Sequence, residues 1–174
     1  MILTIGDTLI AAGKSDVGCV RTLNEDNLFI DEDLGLLIVA DGMGGHAAGE
    51  VASAQVITSV RQSLQEAMQS PPSEVVHIAP HQAEDNVDDD DEPTMDDIPN
   101  PVVAMLRNAT NAANTSINEI NQKEESADGT GMGSTLVGLW LPPFSEVPVI
   151  FHVGDSRLYY YSKNRMTQLT QDHS

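Results

Sequence analysis

An aspartate that ends an apolar run and opens a glycine-rich turn is placed for chemistry. Asp41 follows Leu34 to Ala40 (LGLLIVA) and begins Asp41-Gly42-Met43-Gly44-Gly45-His46. Glycines let a ligand approach the main chain closely. A carboxylate at a strand end, beside an exposed carbonyl, suits a hard cation such as Mg²⁺ or Mn²⁺ with its preference for oxygen. Taken alone, an Asp capping the following helix is the better reading of such a turn. A second cluster, Arg21 to Asp26 (RTLNED), sets a guanidinium beside two carboxylates. In an extended chain Arg21 and Glu25 share a face, while Glu25 and Asp26 point to opposite ones. Taken alone, this is a surface ion pair worth under about 1 kcal/mol. The third, Gly154-Asp155-Ser156-Arg157, follows the apolar VIFHV and alone reads as a hairpin turn.

The elements that must position these groups can be read from periodicity. Lys14 to Arg21, with Val17 and Val20, reads as a short strand, and Asn27 to Asp31 as a second extended piece. Leu34 to Ala40 is apolar almost throughout, as for a strand buried on both faces. From about Ala47 to Met68, the four-residue spacing of Val56, Val60, Leu64 and Met68 predicts an amphipathic helix. A second helix is expected from about Val102 to Lys123, with Val103, Leu106, Ala113, Ile117 and Ile120 on one face. Ser134 to Leu141 is strand-like. Val147 to Asp155 and Arg157 to Ser162 read as a strand pair turning near Gly154, and Ser162-Lys163-Asn164 as a hairpin turn returning through Met166 to Leu169. Strands at both ends with two helices between them make an α+β domain, an antiparallel sheet packed on a helical pair.

The 174 residues suffice for one domain with a core. The chain carries 27 acidic against 8 basic residues, for a net charge of −19, which argues against nucleic-acid binding. Ten of those acids fall within residues 71–100, where there is no Lys or Arg. That proline-rich stretch contains Asp88 to Asp91 and no aromatic residue, so it is expected to be a disordered or loosely held acidic insertion. No apolar stretch is long enough for a membrane span. With no secretory signal and a single Cys19, read as a buried mid-strand residue, the expected location is the cytoplasm.

In order, the chain shows SDVGCVRTLNED, the apolar strand with DGMGGHAAGE, then GST, VGDSR and LTQDHS. Together these resemble the bacterial branch of the PPM, or protein phosphatase 2C-like, metal-dependent serine/threonine phosphatases. The match covers about residues 15–59 and 129–174. The resemblance implies an α-β-β-α sandwich, two antiparallel sheets flanked by helices. It further implies hydrolysis of phosphoserine and phosphothreonine in proteins by a metal-activated water, with two Mn²⁺ or Mg²⁺ ions and a third, weaker site. By resemblance Asp41 bridges the two ions, the Gly42 carbonyl is a ligand, and Glu25 and Asp26 bind directly or through water. Arg21 grips the substrate phosphate, and Asp155 belongs to the third site. The implied partners are phosphorylated proteins, substrates of a bacterial-type Ser/Thr kinase. Met43 stands where animal-type members have a proposed proton-donating His, and that role is not transferred to His46. The family continues beyond the DHS motif and there supplies two more metal-binding Asp residues. The resemblance therefore implies that the C-terminal part is missing, and a non-catalytic module binding a phosphorylated partner is the alternative.

Other signals carry less. Gly42 to Ala47 satisfies a dinucleotide fingerprint, yet its helix leads into the acidic insertion rather than a second parallel strand. GTGMGS at 129–134 lacks the lysine of a phosphate loop. His77 and His81 have metal-helix spacing, but Pro80 lies between them. The Asp88 to Asp91 run lacks EF-hand spacing, and His152 reads as a packed strand residue.

Overall fold

The computed structural model describes residues 2–5, 9–44, 48–69, 100–123, 131–145 and 147–173. The expected acidic insertion and His46 lie outside them. The described elements are β1 (Ile2–Ile5), β2 (Leu9–Ala12), β3 (Asp26–Asp31), β4 (Leu36–Met43), α1 (Ala48–Met68), α2 (Pro101–Lys123), β5 (Gly133–Ser134), β6 (Leu136–Trp140), β7 (Val149–Val153), β8 (Tyr159–Ser162) and β9 (Arg165–Gln168). An antiparallel sheet in the order β3-β4-β6-β7 forms the centre, with β5 paired to the end of β4.

β4 alternates strictly. Leu36, Ile38 and Ala40 are buried, while Val39 is 47% exposed. The even-numbered positions meet the helices, so the apolar run is covered on one face rather than on both. Its even face packs with Leu136 and Trp140 of β6, Val56, Val60 and Leu64 of α1, and Leu106, Ala109, Ala113 and Ile117 of α2. Trp140 is fully buried and its Nε1 donates to the Leu34 carbonyl at 3.0 Å, so the largest core side chain leaves no orphaned donor. α2 turns Val102, not Val103, inward; Val103 is 42% exposed, and the buried spacing of 4, 3, 4 and 4 from Val102 keeps to one helical stripe.

The odd face carries Leu37 and Val39 with Leu28, Ile30, Val137 and Leu139 opposite them in register. Ala11 of β2 packs there on Ile30. A cavity of about 460 Å³ lies between this face, Ala12 to Lys14, and Arg157 to Tyr159. Two hairpins, β1-β2 and β8-β9, pair internally and not with the central sheet. The expected strand over Lys14 to Arg21 is instead an irregular loop, with Val20 93% exposed and Cys19 exposed rather than buried. Alternation there was too short to outweigh the absence of a pairing partner, and the short β1 and β2 were not anticipated. β7 and β8 do not pair as expected: β7 joins β6, and β8 joins β9. The β8-β9 turn does form at Lys163 and Asn164, whose φ values of 48° and 58° give the mirror-image turn that suits strand twist.

Candidate active site

The acidic end of the sheet is made by register. Asp26 and Asp41 are directly opposed across β3 and β4, and opposed residues share a face, here the one turned away from the helices. The Asp41 carboxyl is pushed above its ordinary range. Burial comes first among the causes, then the charge of Asp26 and a side-chain hydrogen bond with Asp26, while Arg21 opposes and Asp155 adds. Asp41 nevertheless remains exposed at the strand end.

Glycines allow the strand to end here. A side chain on Gly42 would collide with the Gly49 carbonyl and approach the Glu25 carbonyl to 2.9 Å. One on Gly49 would meet the Glu25 carboxylate. The first turn of α1 thus seats against β4 and Glu25. Gly42 N donates to Glu25 O at 3.2 Å, and the buried Ser53 Oγ donates to the same carbonyl at 2.7 Å. Arg21 lies 3.7 Å from Glu25, with its guanidinium largely in solvent, a loose pair that leaves its donors available.

Asp155 is exposed just after β7, in a turn where Gly154 has φ 98°. The segment 169–173 clasps that turn. His173 N donates to Gly154 O at 3.0 Å and Gly154 N to His173 Nδ1 at 3.2 Å. Leu169 N donates to Leu158 O, and Leu158 N to Thr170 Oγ1. Arg157 makes a forked pair with Asp172, at 2.9 Å from Nε and 2.5 Å from Nη2. The hydrogen bond from Arg157 holds the Asp172 carboxyl below its usual range. The pair's contribution is present above pH 3.8 and is lost as pH falls through the lowered value. His152 is half-buried and stacks on His173 at 4.6 Å, its Nδ1 without a partner.

The junction of β5 and β6 ties these parts together. Asp41 N donates to Thr135 Oγ1 at 3.1 Å, Thr135 N to Asp41 O at 2.9 Å, and Ser134 Oγ to Asp41 O at 3.1 Å. Thr135 Oγ1 also lies 2.6 Å from Ser156 Oγ. Sequence reading included GST among the matching segments without giving these hydroxyls a role.

Of the residues expected at the site, Asp26 and Asp41 are opposed in register, and Asp26, Arg21 and Asp155 act on the Asp41 carboxyl through their charge. The Glu25 carboxylate is turned toward Gly49 and Arg21. Two carboxyls opposed on one face offer oxygen ligands side by side to a hard divalent cation, so Asp26 and Asp41 fit such a ligand. No set of three His, Cys, Asp or Glu side chains converges at metal-binding range among the described residues.

The chain belongs to the protein phosphatase 2C family, whose model matches residues 19–174. It is 37% identical over 161 residues to the serine/threonine protein phosphatase PstP of Mycobacterium tuberculosis, covering 92% of this chain and 24% of that protein. With the serine/threonine phosphatase stp of Listeria monocytogenes it shares 32% over 164 residues, covering 92% of this chain and 53% of the relative. The crystal structure of the Mycobacterium tuberculosis phosphatase PstP/Ppp superposes with a TM-score of 0.64 at 34% identity, over 92% of this chain and 53% of that one. The catalytic domain of PstP in complex with two manganese ions gives 0.63 at 31%, over 91% and 54%. The chain thus spans about half the length of these solved structures, and its fold is theirs over that span. No helix among the described residues is long and apolar enough to cross a membrane.

Proposed function

We propose that the acid cluster of this chain serves the hydrolysis of phosphoserine and phosphothreonine in proteins. The observation that carries the reading is the direct opposition of Asp26 and Asp41, with the charges of Arg21 and Asp155 acting on the same carboxyl. Residues 1–174 belong to one phosphatase domain in this reading. Asp41, the Gly42 carbonyl and Asp26 would hold two Mn²⁺ or Mg²⁺ ions, with Glu25 and Asp155 supporting them. Such ions, when bound, stabilise charge on the phosphoryl oxygens and make water nucleophilic at neutral pH. Arg21 presents its planar fork to two phosphate oxygens, for which its exposed side chain is free to move. Cys19 has no part, because attack by water needs no covalent enzyme intermediate. The relatives named as serine/threonine phosphatases support this substrate class, and the proposal extends to cytoplasmic substrates of a bacterial-type kinase.

The test is Mn²⁺-dependent phosphate release from p-nitrophenyl phosphate and from phosphothreonine peptides. Activity should vanish in Asp41→Ala with the fold intact, and fall roughly 100-fold or more in Arg21→Ala on the peptide. Full activity in Asp41→Ala would refute the reading. A second reading is a non-catalytic module that holds a phosphorylated partner. It is favoured by the lack of a three-ligand acidic set among the described residues. Phosphopeptide binding that depends on Arg21, without turnover at saturating Mn²⁺, is its signature.

A further inference from the structure

We propose that Thr135 and Ser156 form a hydroxyl bridge that fixes the distance between Asp41 and Asp155, making both positioning residues. The inference rests on the metal-site reading above and deepens it. Asp41 lies on β4 and Asp155 just after β7, strands that are not neighbours: β4 pairs with β6, and β6 pairs with β7. Nothing in β4 therefore sets directly where the turn after β7 stands. Thr135 immediately precedes β6 and reaches both. Its backbone N and its Oγ1 bind the O and N of Asp41, at 2.9 and 3.1 Å. The same oxygen lies 2.6 Å from Ser156 Oγ, next to Asp155 in the chain.

Hydroxyl chemistry permits this arrangement and limits it. A hydroxyl has one proton and two lone pairs. Thr135 Oγ1 spends one lone pair on the Asp41 amide. It then either gives its proton to Ser156 or accepts the Ser156 proton on the other lone pair. Both cases leave the bridge intact, and neither survives loss of either hydroxyl. The threonine methyl has its own place: a side chain on Gly154 would come within 2.9 Å of Thr135 Cγ2. One side of Thr135 therefore spaces the Asp155 turn by contact and the other by hydrogen bonding. His173 binds both polar backbone atoms of Gly154 and so anchors the turn to the segment after β9, while the hydroxyl bridge is what ties it to Asp41.

The decisive variants are Thr135→Val, which keeps the shape and removes the hydroxyl, Thr135→Ser, which keeps the hydroxyl, and Ser156→Ala. Two measurements are made on the full chain: hydrogen exchange of the Asp41 amide in chelator-treated protein, and calorimetric titration with Mn²⁺ alone. Thr135→Val is expected to speed Asp41 amide exchange about tenfold relative to the Leu37 amide. Both Thr135→Val and Ser156→Ala should weaken Mn²⁺ binding about tenfold, the usual scale for a partner that orients a ligand. Thr135→Ser should restore both. A merely structural role would lower the melting temperature with Mn²⁺ affinity unchanged, and Thr135→Ser would then be no better than Thr135→Val; that result overturns the proposal. Should Thr135→Val fail to fold, Ser156→Ala decides by itself, since wild-type Mn²⁺ affinity in that variant is equally fatal. If the parent chain binds no Mn²⁺, the metal-site reading fails. The bridge then stands or falls on whether Ser156→Ala speeds exchange at Asp41.

Discussion

Asp41 works against the fold that carries it. Its raised carboxyl pKa means that the metal-free folded state binds a proton there more tightly than the unfolded chain does. That contribution to stability is complete below pH 3.8 and is lost as pH rises through the raised value. Asp41→Asn removes the titration and keeps the shape. Metal-free Asp41→Asn is therefore expected to melt above the parent at pH 7, with the difference closing below pH 3.8, as thermal melts across pH will register. A lower melting temperature at pH 7 would mean that burial and the neighbouring acids do not disfavour the Asp41 carboxylate. Sequence order alone exposed Arg21, Glu25, Asp26, Asp41 and Asp155 as the chemically interesting set. The opposition of Asp26 and Asp41 was not readable, since register belongs to the pairing of two strands and not to either one. Thr135 was less readable still, because its hydroxyl acts on a residue 94 positions away.

Among the elements, β4 shows how burial on one face is decided. Its apolar run suggested cover on both sides, yet neighbours on one strand differ sharply, Ile38 being 2% exposed and Val39 47%. Ile38→Ala should cost about 2–5 kcal/mol, as for a large side chain removed from a packed core. Val39→Thr should stay within about 0.5 kcal/mol. Urea denaturation of the two variants checks the contrast, and comparable losses would show that the odd face is packed in solution. Helix existence and extent were plain from the 3.6-residue period, while helical phase slipped by one at Val102. The short hairpin β1-β2 gave no periodic signal in its four-residue strands. The Lys14 to Arg21 error has the same origin, since two valines in a polar segment fit a strand or a loop equally well.

At the scale of the whole molecule, one core lies between the central sheet and the two helices, and the opposed Asp26 and Asp41 sit at the end of that sheet. The backbone exchange between Asp41 and Thr135 has a consequence in time. It joins residues on either side of both helices, 94 apart along the chain, so it forms only after a long loop has closed. Helices form within microseconds, whereas such distant pairings wait for the slower assembly of the sheet. On dilution from urea, helical circular dichroism should return before the Asp41 amide becomes protected in pulse-labelled hydrogen exchange. Simultaneous recovery would contradict this order. A nascent or partly unfolded chain would then have its helices before Asp41 is held against Thr135, and the acidic end of the sheet would be the last part assembled and the first lost.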